Sequence, residues 1–89
     1  MGYEIFYAPE FKRDYKKLPV SIRESVKVRG RLFQENPFHP LLKTHKLSNH
    51  KNRWSFSVDY HNRVAFRFKE GNIVELLRVG DHSIYRKLR

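Results

Sequence analysis

No cysteine occurs anywhere in the chain, which excludes disulfides and thiolate metal ligands. Carboxylates are scarce: nine Asp and Glu stand against nineteen Lys and Arg, a formal net charge of +10. Five histidines are present, but with acidic co-ligands scarce and no tight His-x-x-x-His spacing they make no metal motif, so no metal and no cofactor is expected. A Ser–His–acid signature is missing as well. Long apolar runs are absent, and nothing approaches the roughly 20 residues needed to span a bilayer. The opening MGYEIFYAPEFKRDY is interrupted by charge too soon for a signal peptide. With no repeat, low-complexity tract or linker, the expectation is one soluble, cytoplasmic domain over residues 1–89 with no membrane partner.

What the chain does have is positive charge and a clear change of period. A domain this basic is drawn to polyanions, because each neutralised phosphate releases condensed counterions. Nucleic acid is the default partner, with an acidic protein or an anionic surface as alternatives. YEIFYA (Tyr3 to Ala8) reads as a strand. Pro9 suits a first helical turn, and Phe11, Tyr15 and Leu18 make one apolar stripe. Pro19 restarts the chain into a second helix running to about Gln34, with Ile22, Val26, Gly30 and Phe33 on one face and Arg23, Lys27 and Arg31 on another. Gly30 weakens that helix by about 1 kcal/mol relative to alanine, and close approach of a neighbouring helix is the expected compensation.

Beyond the stop at ENPFHP the period becomes two. RWSFSVDY and NRVAFRFK alternate apolar with polar residues, joined by a hairpin-like YHN; EGN (Glu70 to Asn72) turns the chain again into IVELLRV, apolar on both faces and so an inner strand. The expected class is α+β: a strand, two helices, then an antiparallel β meander, with the helices on one face of a small twisted sheet. The other face would then carry Arg53, Asp59, Arg63 and Arg67, joined by Arg78 if it points the same way. Into that face leads KTHKLSNHKNR (Lys43 to Arg53), which holds no carboxylate. Beside a phosphodiester it becomes a clamp.

The helix start FKRDYKKLP, the stretch NPFHPLLKTHKLSNHKNRWSFSVDYHNRVAFRF and the ending LLRVGDHSIY together resemble the RelE/ParE superfamily of bacterial toxins from toxin–antitoxin pairs. The ending is most similar to the RelE and YafQ branches, where a strand leads through Gly-x-His to an aromatic. The resemblance implies a small endoribonuclease that cuts mRNA on the ribosome without a metal. It also implies a cognate acidic antitoxin, and operator DNA contacted only through the antitoxin complex. The ParE branch, which poisons DNA gyrase without ribonuclease chemistry, is the alternative; a plain nucleic-acid-binding module is a third reading.

RNA brings its own nucleophile, the 2′-hydroxyl. An enzyme must take its proton, stabilise the charge gathering on phosphorus and protonate the leaving 5′-oxygen. Histidine suits both proton transfers, arginine and lysine the charge, and an aromatic ring the stacking of a base. The catalytic candidates are therefore His82, Arg78, His50, His45 and Tyr85, with at least one of His45 and His50 expected to act. Lys43, Lys46, Arg53 and Arg63 are candidate phosphate contacts. Each has a plainer reading: His82 as an exposed turn residue, Tyr85 as closure of the core, Arg63 as a partner of Asp59. His39 reads as structural and His61 as an exposed turn residue.

Overall fold

In a computed structural model of the chain, which describes residues 2–88, strand β1 (Glu4–Tyr7) leads into helices α1 (Pro9–Lys16) and α2 (Val20–Glu35). A single 3-10 turn (Pro40–Leu42) and the two-residue strand β2 (His45–Lys46) precede the strands β3 (Trp54–Ser57), β4 (Arg63–Lys69) and β5 (Ile73–Gly80). A second 3-10 segment, His82–Lys87, follows β5. The sheet order is β1-β5-β4-β3-β2. β1 runs parallel to β5 and every other pairing is antiparallel. The expected α+β meander is thus present, with β5 an inner strand. The short β2 within the basic loop has no signal in the sequence; its two residues pair with Ser55 and Trp54.

The period-two pattern decides the core face. Val64, Phe66 and Phe56 are buried with Val74, Leu76 and Val79. From α2, Phe33 inserts with no exposed surface and stacks on Phe56 at 4.6 Å, meeting Phe66 edge-on at 4.7 Å. Phe11 and Val26 bring the two helices into the same cluster. Gly30 does not have the predicted close neighbour: a Cβ built there meets nothing within 4 Å. It lies on the floor of an open groove between the helices instead.

One irregularity positions Arg78. Alternation from Val74 and Leu76 would carry Arg78 into the core. The register shifts between Ala65 and Phe66, so that Phe66 faces Leu76 while Ala65 faces Arg78 and Val64 faces Val79. Leu77 is the extra residue of this β-bulge, and the change of phase moves Val79 inward and Arg78 out. β1 ends at Tyr7, leaving the upper edge of β5 unpaired by strand; α1 fills the gap with Asp14. Its carboxylate accepts two bonds from the Arg78 guanidinium, at 2.7 and 2.9 Å, and one from the Val79 amide. The pair raises the Arg78 pKa, the hydrogen bond to Asp14 being the largest cause.

The open face is therefore not a shared arginine surface. Arg67 lies opposite Glu75 on the neighbouring strand and pairs with it at 2.7 Å. The centre of the face, Ser55 and Ala65, is fully buried, and the C-terminal turn packs there through Ile84 and Tyr85. Gly80 makes the reversal possible. Its φ of +155° is rarely adopted by residues with a side chain, and a Cβ would meet Ile84 Cγ2 at 3.0 Å.

Candidate active-site cleft

Three segments with no sequence continuity meet at one end of the sheet. The first is the 3-10 turn and β2. Pro37 ends α2, and the His39 Nδ1 accepts from the Leu41 amide, capping the turn as its structural reading implied. Arg29 of α2 donates from Nη1 to the Leu41 carbonyl at 2.8 Å, tying the segment to the helix. Lys43 leaves the turn in the left-handed region, φ 50°, and His45 follows. The His45 Nδ1 lies 3.2 Å from the Lys43 carbonyl. A carbonyl only accepts, so this contact puts a proton on Nδ1 and leaves Nε2 of a neutral ring as the basic nitrogen.

The second segment is the β3–β4 hairpin. Asp59 Oδ1 accepts from the amides of His61 and Asn62 and from the Asn62 side chain. Burial opposes the charge most strongly of any single influence, yet these bonds together hold the carboxyl below its ordinary value. Arg63 pairs with the backbone of the hairpin, not with the Asp59 carboxylate: its Nη1 donates to the carbonyls of Asp59, Tyr60 and Asn62. The loop so braced presents Tyr60, which is 86% exposed, with its ring edge-on to His61 at 4.9 Å.

The third segment is the C-terminal turn. Asp81 Oδ1 accepts from the Ser83 amide, and bonding to Ser83 lowers the Asp81 pKa. His82 follows, exposed. The Tyr85 hydroxyl meets the buried Ser55 Oγ at 2.7 Å and pins the turn to the sheet.

These segments enclose an open cleft of about 1210 Å3 lined by Lys43, His45, Arg63, His82 and Tyr85 among others. Five of the nine residues singled out from sequence are thereby brought together. The other four are not. His50 and Lys46 line a separate hollow in the 46–51 loop, so of the two loop histidines it is His45 that shares a cleft with His82. Arg53 and Arg78 line a third cavity, beyond the far end of the C-terminal turn; the bulge and Asp14 take Arg78 away from His82. Arg29, Tyr60 and His61 also line the cleft, though the sequence did not single them out for it. Arg29 gave no sequence signal, because its target loop lies twelve residues on. An aromatic beside a histidine in a tight turn was a signal for the other two.

Chemically the cleft combines three imidazoles with Arg29, Lys43 and Arg63. Its two carboxylates, Asp59 and Asp81, are both engaged by backbone amides of their own turns. The net field favours an anion, and the exposed Tyr60 and half-buried Tyr85 offer ring faces to a base. Among the described residues no group of three or more His, Asp or Glu is placed to hold a metal, and no helix is long and apolar enough to cross a membrane.

No family profile and no curated protein matches the sequence. Solved structures do. A chain of the RelB–RelE antitoxin–toxin complex from Methanococcus jannaschii superposes with a TM-score of 0.74 at 21% identity, covering 94% of this chain and 99% of that one. YafQ from E. coli gives 0.73 at 20% identity, over 93% and 97%. A metal-bound toxin from Helicobacter pylori gives 0.69 at 25% identity, over 92% and 97%. This is the RelE-type toxin fold. In this chain the C-terminal turn after β5, the β3–β4 hairpin and the basic loop with β2 form the three walls of the cleft.

Proposed function

We propose that the chain is the toxin of a toxin–antitoxin pair and an endoribonuclease acting on mRNA engaged by the ribosome. The observation that carries this reading is that His45 and His82, far apart in sequence, line one cleft together with Lys43, Arg29 and Arg63. A scissile phosphate seated among the cations has a histidine available on each wall. His45, whose Nδ1–H is held by a carbonyl, takes the 2′-hydroxyl proton at Nε2. The 2′-oxygen attacks phosphorus while the P–O5′ bond breaks, and protonated His82 gives its proton to the departing 5′-oxygen. Lys43 and Arg63 stabilise the charge on the non-bridging oxygens; Tyr85 or Tyr60 stacks the adjoining base. The products are a 2′,3′-cyclic phosphate and a 5′-hydroxyl, and no step needs a metal.

The partner that fits the rest of the surface is an acidic antitoxin. The groove between α1 and α2 has an apolar floor of Phe11, Tyr15, Val26 and Leu76 and a rim of Lys12, Lys16, Lys27 and Arg31. Its volume is about 550 Å3. An amphipathic acidic helix can bury its apolar side there while its carboxylates meet the rim.

The deciding experiment is expression of the chain alone, with mapping of mRNA 5′ ends and their chemistry, run beside a gyrase-cleavage assay. New 5′-hydroxyl ends are the expected result. Ends bearing 5′-phosphates would overturn the mechanism, and trapped gyrase–DNA adducts without RNA cleavage would overturn the activity.

A further inference from the structure

Four basic residues that the cleft does not use meet on the far side of the C-terminal turn. Arg13 of α1, Arg53 ahead of β3, Arg78 of β5 and Lys87 line this cavity, of about 300 Å3. The turn connects the two sites: His82 and Tyr85 line the cleft, Lys87 and Leu88 this cavity. At about 2.0 Å per residue of a 3-10 helix, His82 and Lys87 are offset by roughly 10 Å along the turn.

The donors here are incompletely used. Arg78 commits Nε and Nη2 to Asp14, which leaves Nη1 with no bond among the described residues. Arg53 donates from Nη1 to the Asn52 carbonyl, but its Nε is buried without any hydrogen-bond partner, alone in this among the described side chains. Leaving a charged donor buried and unpaired is costly, and such a group in a folded protein points to an ion, water or ligand that completes it. Arg13 and Lys87 belong to no ion pair among the described residues. Asp14 neutralises Arg78, and Glu10 at the same cavity offsets one more cation. Positive charge remains in excess, on residues contributed by a helix, a loop, a strand and a turn.

We propose that this cavity binds a phosphate group of an RNA strand, flanking the bond whose chemistry belongs to the cleft. The proposal deepens the ribonuclease reading and rests on it for the strand's path. Donors arriving from several directions match the tetrahedral oxygens of phosphate better than a planar carboxylate. The cavity is also reached along the same turn that carries His82, so one strand crossing the cleft passes it. Its role is to hold the strand in register, adding affinity without reading sequence.

The probe is a 2′-O-methyl oligoribonucleotide, which binds but carries no free nucleophile. Affinity of the purified chain is measured against salt for a strand of roughly ten nucleotides and for a dinucleotide confined to the cleft. In the Arg13→Gln/Lys87→Gln protein, both changes being at exposed positions, the longer strand should bind more weakly. Its slope of log K against log salt should fall by about 0.7 for each phosphate that is no longer neutralised, with dinucleotide binding unchanged. In the unaltered protein the Arg53 Nε–Hε NMR signal should shift when the longer strand is added. An unchanged slope overturns the proposal. So does an Arg53 signal that answers to inorganic phosphate, an adventitious ion only, or to an acidic peptide, but not to the RNA. Because the probe is not cleaved, failure of the chain to cut ordinary RNA tells against the ribonuclease reading and leaves this measurement to decide the cavity.

Discussion

His82 opens the C-terminal turn with its side chain exposed and free of bonds to the described residues, so its removal takes little from the fold. His82→Ala is expected to slow RNA cleavage about 10²–10⁴-fold with the melting temperature unchanged, and His45→Ala to do the same. His50→Ala, in its separate hollow, should leave cleavage near the unaltered rate. Equal activity in all three, measured on a defined mRNA, would remove the histidines from the mechanism. For Arg78 the expected effect is on stability. Its guanidinium and Asp14 are both about five-sixths buried, with 18% and 16% side-chain exposure, and truncation leaves a carboxylate with only the Val79 amide. Arg78→Ala should cost about 1–3 kcal/mol of stability, read from the urea midpoint. A midpoint that does not move would show that the pair contributes nothing to folding.

Among the elements, the β3–β4 hairpin has the clearest dependence on pH. Asp59 holds it together as an anion, and its folded pKa is depressed. A group of this kind contributes stability that is complete above its unfolded pKa, about 3.9, and is lost as pH falls through the lower folded value. The unaltered chain should therefore lose stability below about pH 4, in part through this loop. Asp59→Asn should be less stable at neutral pH and show a shallower acid limb in a series of thermal melts. Parallel pH curves for the two proteins would mean that the aspartate is exchangeable with its amide here. The bulge in β5 is the other element with consequences. By changing the phase of one strand it permits an arginine in an otherwise apolar run, and it separates Arg78 from the cleft that contains His82.

At the scale of the whole molecule, the two helices leave a groove that none of the described residues fills, with Gly30 at its floor. A Cβ at position 30 meets nothing within 4 Å, and Gly30→Leu should raise helix stability by about 0.5–1 kcal/mol. The added side chain occupies the groove, so the same variant should bind the antitoxin more weakly and escape neutralisation. Co-expression with an acidic antitoxin, then affinity measurement and a thermal melt, tests both halves. Undiminished affinity would move the docking site elsewhere, while loss of stability would show that the groove closes in solution.

The element order, the two helices, the inner position of β5 and the buried face of the meander were legible in the sequence, because period and turn chemistry are local. Residue types suited to the proposed RNA cleavage were also visible, as were the structural role of His39 and the place of His82 after Gly80. What local pattern could not contain was which of them meet. Whether His45 or His50 joins His82 depends on β2 pairing with β3; whether Arg78 does depends on one extra residue in β5 and on an aspartate 64 positions earlier. Arg29 enters the cleft only because α2 packs beside a loop twelve residues on. Gly30 suggests a close helix contact because sequence shows a missing side chain but not the space around it. Local propensity determined the elements; long-range pairing, one bulge and the packing of the last turn decided which charges share a cavity.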